Sequence, residues 1–557
     1  MRKTLLFLAA SILAAPAWSD TLIQNVNGMQ VGADGKLQHF SGLIVRDDGK
    51  VRTVLTGAPP PIAFTRTIDG HGRTLLPGLI DAHGHVTQLG LMAIQLDLGG
   101  TKSIGELQSR LRGYAAEHRG SGWIQGRGWN QELWAEKRMP SAADLDAVVP
   151  DRPVWLYRVD GHAAVANSAA LRAAGINKAT IPPRGGEIAR KSDGSPAGVM
   201  TDTARELVEA KIPPMTDSDM DAAVLTAQQV LLADGITASG HMRTTPEDWA
   251  SFNRLGRAGK LEMRIVAYAF GLDALARTAG SHPTGWLYAD RLQMPGVKFY
   301  GDGALGSRGA WLKKPYADAA ETSGLSLHSD ADLARDADTA SSQGFQVAIH
   351  AIGDAANAQA IGVYEGLARK HPGDRRWRIE HVQVIDPADI PRLAPAGIIA
   401  SMQPIHQVSD RLMAEQRLGA QRLNGAYAWH TIESSGARLA FGSDFPFDTP
   451  NPFAGLSAAI SRQDAEGQPP GGWYPQERLT FEQALGAYTR GAAYAGIAED
   501  RIGALEPGKW ADFILIDRDP TKVNAQDLAR TKVLETWVAG KKVWAAAPSA
   551  VQPERGK

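Results

Sequence analysis

A chain of 557 residues, 43% hydrophobic and 21% charged, reads as a globular protein with room for a large core and more than one domain. Its 59 basic side chains against 60 acidic ones, with no long basic run, leave out nucleic acid and anionic membranes as partners. It has no cysteine, so disulfides and thiolate ligands are excluded and any metal site must use nitrogen and oxygen donors.

The N-terminus has the grammar of an export signal: Arg2-Lys3, an apolar core over residues 5–15, then small residues at Ala17 and Ser19. Residues 1–19 are expected to be cleaved, leaving an exported chain, periplasmic or secreted, that begins near Asp20. The apolar run is too short for a membrane anchor, and no later segment approaches the roughly 18 apolar residues a span requires. No membrane partner is expected after cleavage.

Residues 20–74 read as short strands and turns, too few for a core of their own. Their expected partner is the stretch 501–557, whose apolar runs at 507–517 and 533–543 would complete a single β-sandwich. Residues 75–96 open the central domain. Here Leu75-Leu76-Pro77-Gly78-Leu79-Ile80 reads as one buried strand leading straight into His83 and His85. Residues 97–210 change character, with a helical stretch at 104–118, short strands such as 154–158 and loops rich in Gly and Trp. This is expected to be an α/β insertion after the first barrel strand.

Across 211–500, short β-prone runs alternate with Ala-rich amphipathic stretches. The runs fall at 235–239, 263–268, 296–300, 346–350, 377–381, 397–401 and 438–442. With the opening strand they make eight β/α units. The expected fold is therefore α/β, a (β/α)8 TIM barrel whose chemistry sits at the C-terminal strand ends.

Those ends carry a coherent set of side chains. Residues i and i+2 of a strand point to one side, so His83 and His85 aim at a common point. Strand four carries Lys298 and runs into Asp302, strands five and six end in His350 and His381, and strand eight runs into Asp444. Neutral imidazoles and a carboxylate suit one or two divalent ions, and ligation by N and O alone puts zinc first. Such an ion lowers the pKa of water from about 15.7 to about 7 and polarises a carbonyl. Asp444 is placed to take the water proton and pass it to a leaving nitrogen. On the substrate side the expected contacts are Trp129 and His162 in the insertion, His241 after strand two, Arg308 after strand four and Gln403 after strand seven. The remaining histidines, His406 among them, have no comparable context.

One motif is a decoy. Gly301-Asp302-Gly303-Ala304-Leu305-Gly306 matches G-x-G-x-x-G after a strand, but Gly309 and Pro315 follow too soon for the helix a dinucleotide site needs. The glycines are better read as letting the loop pass close to the metal site.

Taken together, the chain resembles the amidohydrolase superfamily, and within it the YtcJ-like (amidohydrolase-3) branch that includes N-substituted formamide deformylases. The resemblance rests on Leu76-Pro77-Gly78-Leu79-Ile80-Asp81-Ala82-His83-Gly84-His85, Lys298 with Asp302-Gly303, and His350-Ala351-Ile352-Gly353-Asp354. It also rests on Ile379-Glu380-His381, Ser401-Met402-Gln403-Pro404, Gly442-Ser443-Asp444-Phe445-Pro446 and Glu506-Pro507-Gly508-Lys509-Trp510-Ala511-Asp512. It implies a metal-dependent barrel with a β-sandwich built from both chain ends. It also implies that Lys298 is N-carboxylated and bridges two metals; an unmodified lysine beside a single metal is the alternative that spacing leaves open.

The expected activity is hydrolysis of an amide- or formamide-type C–N bond in a small-molecule substrate, with ester, lactone or cyclic-amide hydrolysis at the same site as the alternative. A catalytically silent barrel acting as a binding protein would have no need to keep every ligand position and Asp444. Homo-oligomerisation is left open.

Overall fold

The computed structural model describes residues 18–120, 122–159 and 161–547. Nearly all of the expected signal segment, residues 1–17, lies outside them. Among the described residues no helix is long and apolar enough to cross a membrane. The chain divides into two compact units, Met1–Val86 with Gln228–Lys557, and Thr87–Ala227.

The larger unit contains an eight-stranded parallel sheet whose strands neighbour one another in chain order. They are Leu79–Gly84, Ile236–Thr244, Arg264–Phe270, Leu292–Tyr300, Gln346–Ala351, Arg378–His381, Ile399–Met402 and Arg438–Phe441. Every strand but the eighth, which is exposed at its first residue, has an almost wholly buried pattern, as parallel strands covered on both faces require. Two backbone bonds bring the first and eighth strands together at their C-terminal ends. Asp444 N–H donates to His83 O at 2.8 Å, and His85 N–H donates to Phe445 O at 2.8 Å. The fold is a TIM barrel.

Two strands differ from expectation for local reasons. Strand four begins at Leu292, four residues ahead of the expected 296–300 run, with Pro295 inside it. Proline cannot donate to a ladder, and it is tolerated here where the register with strand three shifts between Val266 and Tyr268. The run 75–80 is not one strand. Thr74–Pro77 belongs to a second sheet, and the barrel strand starts at Leu79. Pro77 lacks an N–H and Gly78 turns its own away, donating to Asp512 O at 2.8 Å. A Cβ on Gly78 would lie 2.3 Å from Thr237 Oγ1, so the crossing between sheets accepts only glycine.

That second sheet draws on both chain ends. Its order is Lys541–Ala545, Val533–Val538, Phe513–Ile516, Thr74–Pro77, Trp18–Val31, Leu37–Val45 and Val51–Leu55, with Phe64–Asp69 also pairing with Trp18–Val31. Its core combines Ile23, Leu43 and Leu75 with Phe513, Leu515 and Trp537. A buried ion pair ties it to barrel strand three: Arg264 Nε and Nη2 donate to Asp512 at 2.7 and 2.9 Å.

The smaller unit is a six-stranded sheet running Gly186–Arg190, Pro196–Asp202, Ala163–Ala166, Val154–Arg158, Ile124–Trp129 and Leu96–Asp97. Its helix Ile104–Glu117 is capped by the Ser103 hydroxyl, which accepts from Glu106 N–H, and buries Ile104, Leu107 and Leu111. Trp129 and Trp134 fill its core.

Candidate active site

Each central side chain is held by the strand that ends beneath it. His83 and His85 flank Gly84, where a Cβ would fall 2.3 Å from the Phe445 ring, so the loop after strand eight packs directly on the first strand. That loop carries Asp444 at φ 60, and the end of strand six carries His381 at φ 78. Non-glycine residues in this region cost energy and persist where surrounding structure enforces them, commonly at functional sites.

The result is a buried cluster. Asp444 Oδ1 lies 3.0 Å from His85 Nε2 and 3.4 Å from His83 Nε2. The His381 ring sits 4.6 Å from those of both His83 and His350, centre to centre. Two triads have ligand atoms within 4.8 Å of one another, His83–His85–Asp444 and His381–His406–Asp444, and share the carboxylate. Burial, with the Lys298 charge behind it, lowers His83 to about 4 and His350 to about 3, and burial with His350 and His83 drives His381 well below its ordinary value. These imidazoles are neutral and available as donors. Burial alone would raise Asp444, but His83, His85 and His406 outweigh it and hold the carboxyl at about 2.

Neighbouring groups set which ring nitrogen faces the cluster. Glu380 Oε2 accepts from His83 Nδ1–H at 2.7 Å, and Gln403 Oε1 accepts from His381 Nδ1–H at 2.8 Å, leaving each Nε2 as the ligand atom. Glu380 is in turn gripped by Arg378, whose Nε and Nη2 donate at 2.7 and 3.1 Å. Burial opposes the charge on Glu380, yet Arg378 and His83 hold it below the usual carboxylate range.

Within this cluster the buried nitrogens Lys298 Nζ and His350 Nε2 have no hydrogen-bond partner among the described residues. Burial pulls Lys298 down to about 8, against the raising effect of Glu380 and Asp444. Unpartnered donor atoms in a nitrogen-and-oxygen cluster that also holds a carboxylate fit a bound cation. Asp302 has a supporting part. It accepts from the backbone N–H groups of Ile352, Gly353 and Trp311 at 2.8–2.9 Å, pinning the loops after strands four and five. Gly303 to Gly306 line the cavity, and no helix begins until Asp330, so the glycine-rich decoy is a loop passing the site.

A cavity of about 560 Å³ opens over the cluster, lined by His83, His85, His350, His381, His406 and Asp444 among others. The expected substrate contacts are placed differently. Gln403 is spent on His381. His241 accepts from Val86 N–H at 2.9 Å and packs edge-on against Phe252, and it does not line the cavity. Arg308 is held by Asp318 at 2.8 Å, also outside the lining. Trp129 is wholly buried in the core of the smaller unit, its Nε1–H donating to Leu156 O, so packing accounts for it. His162 is an exposed side chain of that unit, 3.0 Å from Asp202.

His406 is the residue the sequence reading passed over. Its Nε2 lies 3.9 Å from Asp444 Oδ2, and its ring stacks over His381 at 6.2 Å. The signal was present in Pro404, the first residue of the helix Pro404–Leu418. A helix that starts directly after a barrel strand puts its first turn on the rim.

This arrangement has relatives. The model of the amidohydrolase family matches residues 66–544. The putative amidohydrolase YtcJ of Bacillus subtilis is 32% identical, over 86% of this chain and 90% of its own length. The N-substituted formamide deformylase of Arthrobacter pascens is 27% identical, over 88% and 91%. Among solved structures, an uncharacterized metal-dependent hydrolase from Pyrococcus horikoshii superposes with a TM-score of 0.74 at 29% identity, covering 91% of this chain and 99% of its own. The chain belongs to the amidohydrolase family, in its YtcJ-like branch.

Proposed function

We propose that the protein is an exported, metal-dependent hydrolase of amide- or formamide-type C–N bonds in small molecules. The observation that carries this is Asp444, a carboxylate shared by two histidine triads at the floor of one cavity. His83, His85, His350, His381 and Asp444, with Lys298, would hold one or two divalent ions, with zinc first among candidates for an all-N/O site. When bound, such an ion acidifies water and polarises the substrate carbonyl. The chain's own part is proton handling and orientation. Asp444 takes a proton from the attacking water and returns it to the departing nitrogen. Glu380 and Gln403 keep the histidine Nε2 atoms in place throughout. Export is supported by the Arg2-Lys3 and apolar grammar of residues 1–19.

The test is a hydrolysis screen with purified, zinc-loaded protein over N-formyl amines, acyl amines, esters and lactones. Chelator-sensitive cleavage of the amides, restored by zinc, is expected. Full activity after chelation would overturn metal dependence, and lactones cleaved well with no amide turned over would overturn the C–N assignment.

Lys298 is proposed to be carboxylated. Its neutral Nζ lone pair would form an N–C bond to carbon dioxide with release of one proton, and the resulting carboxylate would bridge two ions. Two metals per chain and the added mass of one carbon dioxide are expected by metal analysis and intact mass. One metal and no added mass would leave a plain lysine beside a single ion.

A further inference from the structure

Outside the metal cluster, the cavity wall has an unusual hydrogen-bonding balance. Gln383, Ser409, Asp410 and Asp448 line it, and no lysine or arginine among the described residues does. Gln383, only 5% exposed, donates through Nε2 to Asp410 Oδ2 at 2.6 Å and to the Tyr427 hydroxyl. Tyr427 donates its own proton to the same Asp410 oxygen at 3.0 Å, and Ser409 donates to Asp448 at 2.8 Å. The side-chain donors of Gln383, Tyr427 and Ser409 are therefore consumed within this wall. Gln383 Oε1 and Asp410 Oδ1 accept from no group among the described residues, and neither Asp410 nor Asp448 has a lysine or arginine partner within salt-bridge distance. Burial raises the Asp410 pKa more than His406, Tyr427 and Gln383 lower it, and Asp448 pushes with burial. Partly buried carboxylates without a cation are costly, and that cost falls when a ligand brings one.

We infer that this wall recognises a hydrogen-bond-donating cation on the substrate, an ammonium or guanidinium group remote from the scissile bond, and disfavours substrates with a carboxylate there. Leu305, Leu327, Met413 and Phe447, which also line the cavity, supply an apolar surface for the spacer between the two groups. The substrate class is thus an acylated diamine or similar basic amide. This rests on the amide-hydrolase reading above and adds the charge of the far end.

The test compares three formamides of matched length on the zinc-loaded full chain: monoformyl pentanediamine, formyl pentylamine and formylaminopentanoate. A charged hydrogen bond gives roughly a ten- to hundredfold preference in kcat/KM for the ammonium compound over the neutral one, with the carboxylate compound the poorest. Asp410→Asn and Asp448→Asn should each bring the ammonium-to-neutral ratio down toward one, and Asp448→Glu should restore part of it, which loss of folding alone would not do. Calorimetric binding of pentanediamine against pentanediol, of matched length and without a cation, reads the same preference without turnover. Equal kcat/KM for the three compounds, or equal binding of the two ligands, overturns the inference. If no formamide is cleaved while pentanediamine binds tighter and Asp410→Asn abolishes the difference, the hydrolase reading fails and the cation-recognising wall stands.

Discussion

Asp444→Asn is expected to lower kcat by about 10²- to 10⁴-fold, the usual contribution of a positioned acid–base group. The substitution is close to isosteric. Asparagine also tolerates the left-handed backbone at this position, so the rim bonds from Asp444 N to His83 O and from His85 N to Phe445 O should persist. Its Oδ1 still offers a lone pair to the cluster, but the side chain no longer exchanges a proton. Since Asp444 is held at about 2, the wild-type carboxylate is ionised throughout the neutral range, and the deficit should be flat with pH there. Metal content and unfolding midpoint, measured alongside kcat, separate the chemical effect from a structural one. Turnover within a few-fold of wild type at equal metal content would remove Asp444 from the proton path.

Arg378→Met should have the largest effect on stability. The guanidinium is buried and donates to both oxygens of Glu380, to Ala82 O at 2.8 Å and to Ser401 Oγ at 2.9 Å. Methionine leaves Glu380 as an uncompensated buried charge, at a cost of about 3–5 kcal/mol. Adding Glu380→Gln should recover part of the loss, because the orphaned charge goes with it. The sign with pH follows from the lowered Glu380 pKa. In the wild type, the stability tied to its ionised form is complete above the ordinary glutamate value of 4.5 and is lost as pH falls through the lower folded value. In Arg378→Met the orphaned Glu380 takes up a proton at higher pH than in the wild type, so the deficit should shrink on acidification. Denaturant unfolding at neutral and acidic pH measures this. Zinc affinity should fall about 10–100-fold, since Glu380 then orients His83 less firmly. A variant as stable as wild type at neutral pH would rule out the pair as a structural anchor.

Periodicity made the barrel legible, because buried parallel strands are short apolar runs and their C-terminal ends announce themselves with His or Asp. The structure gathers His83, His85 and His381 from those ends within ligand reach of Asp444, with His350 against His381. The partners of the side chains expected at the substrate were not legible, because residue type near a strand end does not reveal which way a side chain faces or who already holds it. Gln403 turned out to serve His381, Arg308 to serve Asp318, and His241 the backbone of Val86. Trp129 suggested an aromatic contact surface but is wanted for volume in a core. His406 was hidden because it lies on a helix rather than at a strand end. The break at Gly78 was hidden because an apolar run looks the same whether it serves one sheet or two.

The sheet shared by both chain ends has a consequence for how the polypeptide acquires its shape. Leu75 pairs with Leu515 and Leu76 with Ile514, so one of the two neighbours of the strand leading into the barrel, the other being Trp18–Val31, comes 440 residues later in the chain. A nascent chain that has not yet emerged as far as Phe513–Ile516 cannot complete this sheet, and contacts so distant in sequence fold slowly. Removing the last three strands of the sheet would therefore strip the edge from Thr74–Pro77 and expose an open, pairing-competent strand directly ahead of His83 and His85.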